Sequence, residues 1–180
     1  MTEEQFNAAM ERIRAKDKSG LKDIYESYIG FIYHVVLDIV KSKETAEDIT
    51  SEFFIKLWEK ADSYRPGSGH KGYIATIARN MAIDYLRKSG HEIAVYDDTE
   101  NNDFENQTTL AESTEEEVVA NVSIEQALDR LKPIYRQIVT MKVLGDMTFK
   151  EIATALSMPI GTVTWNYQDA IKQLRRFGYE

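Results

Sequence analysis

Apolar side chains recur every three to four residues along much of this chain. Phe6, Ala9, Met10 and Ile13 share one side of a helix predicted over 4–16. Leu21, Ile24, Tyr25, Tyr28, Ile32, Val35, Val36 and Ile39 do the same over 21–40. A third helix is predicted to start after Ser42, with Glu44, Glu47 and Asp48 near its positive end and Ala46, Ile49, Phe53, Leu57 and Ala61 on its apolar stripe. Phe54 and Trp58 lie beside that stripe, more apolar surface than a three-helix core needs, so they either fill the core or face a protein partner. The stretch 64–72, YRPGSGHKG, predicts a loop. A fourth helix follows and ends near Gly90, with Ile74, Ile77, Ala78, Met81 and Tyr85 as its buried stripe. Its opposite face carries Tyr73, Thr76, Asn80, Asp84 and Arg87 in line. Rings stack on unstacked bases, amides read base edges and Arg neutralises phosphate, although a plain solvated face has the same pattern.

Two shorter helical patterns close the chain. In the first, Phe149, Ile152, Ala153 and Leu156 follow Thr148, which predicts an N-cap with Glu151 in capping-box position. Ser157 to Gly161 turns the chain. In the second, Val163, Tyr167, Ala170, Ile171 and Leu174 share a face, leaving Thr164, Trp165, Asn166, Gln168 and Asp169 outward, where a DNA major groove would meet them. This is the form of a helix-turn-helix, and an ordinary helical hairpin in a bundle shares its periodicity.

Charge divides the chain unevenly. Residues 1–90 hold 14 Lys and Arg against 14 Asp and Glu, residues 91–123 none against 10, and residues 124–180 8 against 6. The net charge of -8 therefore comes from the middle segment, which reads as an acidic linker: a passive tether, a strand that mimics nucleic-acid charge within a basic channel, or one that repels DNA until a partner binds. The fold predicted is all-α, two small helical domains at 1–90 and 114–180 joined by a flexible acidic linker at 91–113. The absence of Cys excludes disulfides, thiolate metal sites and a cysteine nucleophile, and fits a reducing cytoplasm. There is no apolar signal core and no run near the roughly 18 residues of a spanning helix, so no membrane insertion is expected. His34, His70 and His91 lack ligand spacing, so no metal, cofactor or enzymatic activity is predicted.

The runs AEDITSEFFIKLW (46–58) and GYIATIARNMAIDYLRK (72–88), followed by 127–176 with EIA at 151–153 and GTV at 161–163, resemble regions 2 and 4 of sigma-70 family factors of the short extracytoplasmic-function type. The resemblance implies a non-enzymatic promoter-specificity subunit whose partners are bacterial core RNA polymerase, promoter DNA and, as often in the family, an anti-sigma factor. It implies that Asp48, Glu52, Phe53, Leu57 and Trp58 dock on polymerase. His70, Lys71, Tyr73, Thr76, Asn80, Arg87 and Lys88 would contact and hold the melted minus-10 strand. Arg136, Lys150, Thr162, Thr164, Trp165, Asn166 and Gln168 would serve the minus-35 element.

The chain departs from the family pattern in places. Ser51 stands where the family often has Gln, Tyr73 for Trp and Thr76 for Arg. After GTV, Thr164, Trp165, Asn166 and Asp169 replace a run usually rich in cations, and each missing phosphate contact flattens the salt dependence by about 0.9 in log–log slope. A stand-alone helix-turn-helix regulator is the alternative, and it would need a more basic recognition helix.

Overall fold

The computed structural model describes residues 1–67, 69–90 and 124–176. The predicted linker at 91–113, and the start of the second predicted domain up to residue 123, lie outside the described residues. Within them the chain forms eight α-helices and a short 3-10 turn: α1 Glu3–Arg14, α2 Lys18–Val40, α3 Lys43–Glu59, the turn Ala61–Ser63, α4 His70–Lys88, α5 Ile124–Asp129, α6 Pro133–Val143, α7 Phe149–Leu156 and α8 Ile160–Arg176.

Local chemistry fixes most boundaries. Thr2 and Gln5 cap each other's backbone at α1, and Thr148 and Glu151 do so at α7. Asp17 accepts from the Ser19 amide and Ser42 from the Thr45 amide at the starts of α2 and α3. Pro133 occupies the first turn of α6, where its missing N–H costs nothing. Lys41 ends α2 and Ser157 ends α7 in the left-handed conformation. The loop before α4 is pinned from α1: Arg14 donates to the Ala61 and Tyr64 carbonyls at 3.2 and 2.6 Å, and the buried Tyr64 donates its hydroxyl to Asn7 at 2.7 Å.

The first four helices enclose a core built on Phe6, Met10, Ile13, Ile24, Ile32, Phe53, Leu57 and Ile74, each a side chain whose burial contributes about 1.5–3 kcal/mol. The same cluster continues without a break into Ile138, Met141, Met147, Ile152, Leu156 and Val163 of the second set. The halves are therefore packed into one body, α6 against α2 and α7 against α4. Gly145 makes one of these approaches possible, since a Cβ there would lie 2.6 Å from the Phe31 ring. A smaller cluster of Leu131, Tyr135, Val139 and Ala170 holds the second half internally.

At the seam a charged group crosses between the halves. Asp38 of α2, 1% exposed, accepts from the Arg136 guanidinium of α6 and from the Thr140 hydroxyl at 2.6 Å, and Arg136, 8% exposed, also pairs with Asp129. Burial opposes the guanidinium's charge, but Asp38 and Asp129 outweigh it and hold Arg136 protonated. Removing one member of such a buried pair strands the other in low dielectric at about 3–5 kcal/mol. Asp38→Ala should therefore lower stability by about that amount, read from urea unfolding. An Asp38→Leu, Arg136→Met double variant should recover most of it.

Candidate nucleic-acid and partner interfaces

The outer face of α3 presents Asp48, Ser51, Glu52, Ile55 and Glu59 to solvent. Ile55, 59% exposed, joins this face, and its helical spacing from Asp48 and Glu52 is the one sequence signal that points to it. Phe53 and Leu57, expected on the docking surface, are instead core residues at 0% and 1% exposure. The wide apolar stripe of α3 is consumed by packing against α2 and α4. Trp58 is half-buried with the Lys16 ammonium 5.7 Å from its ring centre, and Phe54 is covered by Tyr25 at 4.9 Å between centroids.

On α4 the expected strand-contact residues divide into two groups. Asn80, Asp84, Arg87 and Lys88 are exposed at the C-terminal end, with Arg87 3.9 Å from Asp84. The N-terminal end lies under the other half. Lys71 donates to the backbone carbonyl and carboxylate of Asp146 at 2.8 and 3.2 Å, and Glu151 of α7 rests on Gly69 and Gly72. Tyr73 is half-buried, its ring 4.9 Å from Tyr64, and the Thr76 hydroxyl donates to the Gly72 carbonyl at 2.7 Å.

His70 corrects two expectations. The residue is helical, since α4 starts inside the predicted loop, and its side chain is buried. It stacks on Phe6 at 4.9 Å, and its Nε2 lies 2.5 Å from the Tyr28 hydroxyl. It is therefore no exposed loop contact. Tyr85, expected inside, is exposed, and Leu86 takes its place in the core.

In the helix-turn-helix, α7 and α8 match the predicted pair. Lys150, Thr162, Trp165 and Gln168 are exposed, and Thr164 is half-buried with its hydroxyl on the Ile160 carbonyl at 2.9 Å. Asn166, expected outward, is buried with Val163 and Ala170, and Arg136 is committed to Asp38 and Asp129. Neither faces a groove in this arrangement. The exposed cations of α8 are Lys172, Arg175 and Arg176 near its C-terminus, beyond the stretch expected to meet the groove.

Family models for sigma-70 region 2 and sigma-70 region 4 match residues 24–92 and 121–174, in that order. The chain belongs to the sigma-70 family. Relatives of the extracytoplasmic-function group include SigM of Bacillus subtilis, 28% identical over 77% of this chain and 82% of the relative, and SigW of the same organism, 26% identical over 93% of each. This sigma factor belongs with them. Its fold is shared with CnrH, solved in complex with the cytosolic domain of CnrY (TM-score 0.65, 12% identity, 96% of each chain). It is also shared with RpoE of Bartonella quintana, solved with the anti-sigma factor NepR (TM-score 0.63, 20% identity, 88% of this chain and 96% of that one). Among the described residues no helix is long and apolar enough to cross a membrane.

Burial pushes the His70 imidazole below its ordinary value of 6.5, with the Lys71 charge adding to the shift. The unfolded chain then binds a proton that the folded one refuses. The stability held above pH 6.5 should fall as pH drops from there through the lowered folded value. Urea unfolding between pH 7.5 and 5.5 should show a steeper loss for the native chain than for His70→Gln, and equal slopes would contradict the burial argument.

Proposed function

We propose that this sigma factor is a promoter-specificity subunit that binds bacterial core RNA polymerase in the cytoplasm and directs initiation without enzymatic chemistry of its own. The observation that carries the reading is the pairing of two sigma regions in order with an exposed acidic-and-apolar face on α3 and an exposed recognition helix α8. Asp48 and Glu52 offer charge to a basic partner surface and Ile55 offers apolar area, the combination of a protein interface rather than a DNA one. On α4, Asn80, Arg87 and Lys88 are open to a separated strand, and Lys71, Tyr73 and Thr76 complete that path once the second half moves away. Binding an unstacked base offsets the few kcal/mol of unpairing, so melting needs no hydrolysis. Lys150 and the outward face of α8 serve the upstream duplex.

The two halves act as separable domains in this reading, because geometry requires it. Promoter elements near minus 10 and minus 35 lie about 25 base pairs apart, or about 85 Å of duplex. A compact body of this size is about 40 Å across. The packed form cannot engage both elements. An anti-sigma factor that holds the halves together would keep the factor silent, and the apolar cleft between α2 and α5, α6 and α8, about 720 Å³ and rimmed by Lys41 and Lys43, suits the apolar face of an acidic amphipathic helix.

Transcription with purified core polymerase and fragmented genomic DNA tests the function: discrete starts that require the added chain support it, and failure to bind core refutes it. Glu52→Lys should weaken core binding about tenfold or more with the free fold intact, as charge reversal at a complementary interface does. Asn80→Ala should leave core binding unchanged and reduce open-complex formation, measured by permanganate reactivity of unpaired thymines.

A further inference from the structure

On α8 the residues that face outward differ in kind along the helix. Thr162, Trp165, Gln168, Lys172 and Arg175 are exposed along one side, and Trp165 is 60% exposed. The first half of this stripe holds no cation. Lys172 stands ten residues beyond Thr162, about 15 Å along the axis, where it reaches the phosphate backbone rather than the bases met by the helix start. Other polar groups nearby are already committed: the Thr164 hydroxyl donates to the Ile160 carbonyl, Asn166 is buried, and Asp169 accepts from Gln173 at 2.9 Å and from the Tyr135 hydroxyl.

On this stripe three exposed side chains, Thr162, Trp165 and Gln168, precede the first cation. The commonest specific contact in a major groove, Arg or Lys on guanine, has no donor here. A glutamine reads adenine through N6 and N7, and apolar groups contact the thymine methyl. We propose that Thr162, Trp165 and Gln168 form the base-reading set of this sigma factor and select A·T pairs in its upstream element: Trp165, with the Thr162 methyl, packs on thymine C5-methyl groups, Gln168 bonds an adjacent adenine, and no guanine is read by α8. The inference rests on the sigma reading above, which places α8 in the upstream duplex. It concerns which bases that helix distinguishes.

The test uses holoenzyme assembled from core polymerase and the full chain, with a promoter mapped on its own genomic DNA as probe. Uracil replaces each upstream thymine singly, removing only the methyl, and 7-deazaadenine replaces each adenine. At least one uracil should lower holoenzyme affinity by about fourfold, the effect of one buried methyl. At least one 7-deazaadenine should lower it by about tenfold. Trp165→Ala should lose at least one of the uracil effects, Thr162→Ser together with Trp165→Ala should bind the parent and uracil probes equally, and Gln168→Ala should no longer distinguish adenine from 7-deazaadenine. All three side chains are exposed, and circular dichroism of each variant checks that the fold is unchanged. Probes that all bind like the parent, a double variant or a Gln168→Ala that still discriminates, or a 7-deazaguanine that costs affinity would each overturn the assignment while leaving the sigma reading in place. Trp165→Ala that weakens binding to core, with probe differences intact, would assign the indole to a protein surface instead. Holoenzyme that forms no protein-dependent start would remove the underlying reading together with the inference.

Discussion

Asp38 and Arg136 meet across the two halves of the chain in a place closed to water, and the arrangement of everything else follows from that meeting. A buried ion pair adds little net stability, because the desolvation of both charges roughly cancels their attraction. Its effect is on geometry. With the Thr140 hydroxyl on one carboxylate oxygen and Asp129 on the far side of the guanidinium, few relative placements of α2 and α6 satisfy every group. That placement seats Gly145 on Phe31, sets Asp146 against Lys71 and lays Glu151 over the start of α4. The pair thereby couples the coverage of the start of α4 to the docking of the other half.

The exposed surfaces divide the work of recognition. The acidic face of α3, with Asp48, Glu52 and Glu59 exposed, repels nucleic acid and suits a basic protein surface, which is why the proposed function gives it to polymerase and not to DNA. The helix α8 carries its exposed cations late, at Lys172, Arg175 and Arg176, and the proposed base-reading residues early, an arrangement that favours selective contact over tight binding of free duplex. Tethering raises effective concentration without new contacts, and a helix poor in phosphate contacts gains most from it.

Helical periodicity and capping chemistry located most elements, since Ser42 and Thr148 signal helix starts through their own hydrogen bonds. The start of α4 was illegible because Gly69, at φ 79, admits a helix that opens amid glycines, and because the packing of His70 on Phe6 and Tyr28 depends on α1 and α2. Phe54 and Trp58 looked like excess apolar surface only while α2 and α4 were considered apart from α3, and it was the family resemblance that put Phe53 and Leu57 on a docking face. Asp38 carried a signal of its own, an acid within the apolar run VVLDIV, but its partner lies 98 residues away and no local pattern names it. Asn166 shows the same limit: which side of α8 is buried depends on how the second half is packed.

In the proposed function the packed form opens when the factor joins polymerase. The chain has no Cys, so single cysteines at the exposed Lys60 and Ser157 accept a donor and an acceptor dye without background labelling. Energy transfer between them should be high in the free protein and should fall on binding core polymerase and promoter, as the halves move to elements about 85 Å apart. Unchanged transfer in a complex that initiates transcription would contradict the account.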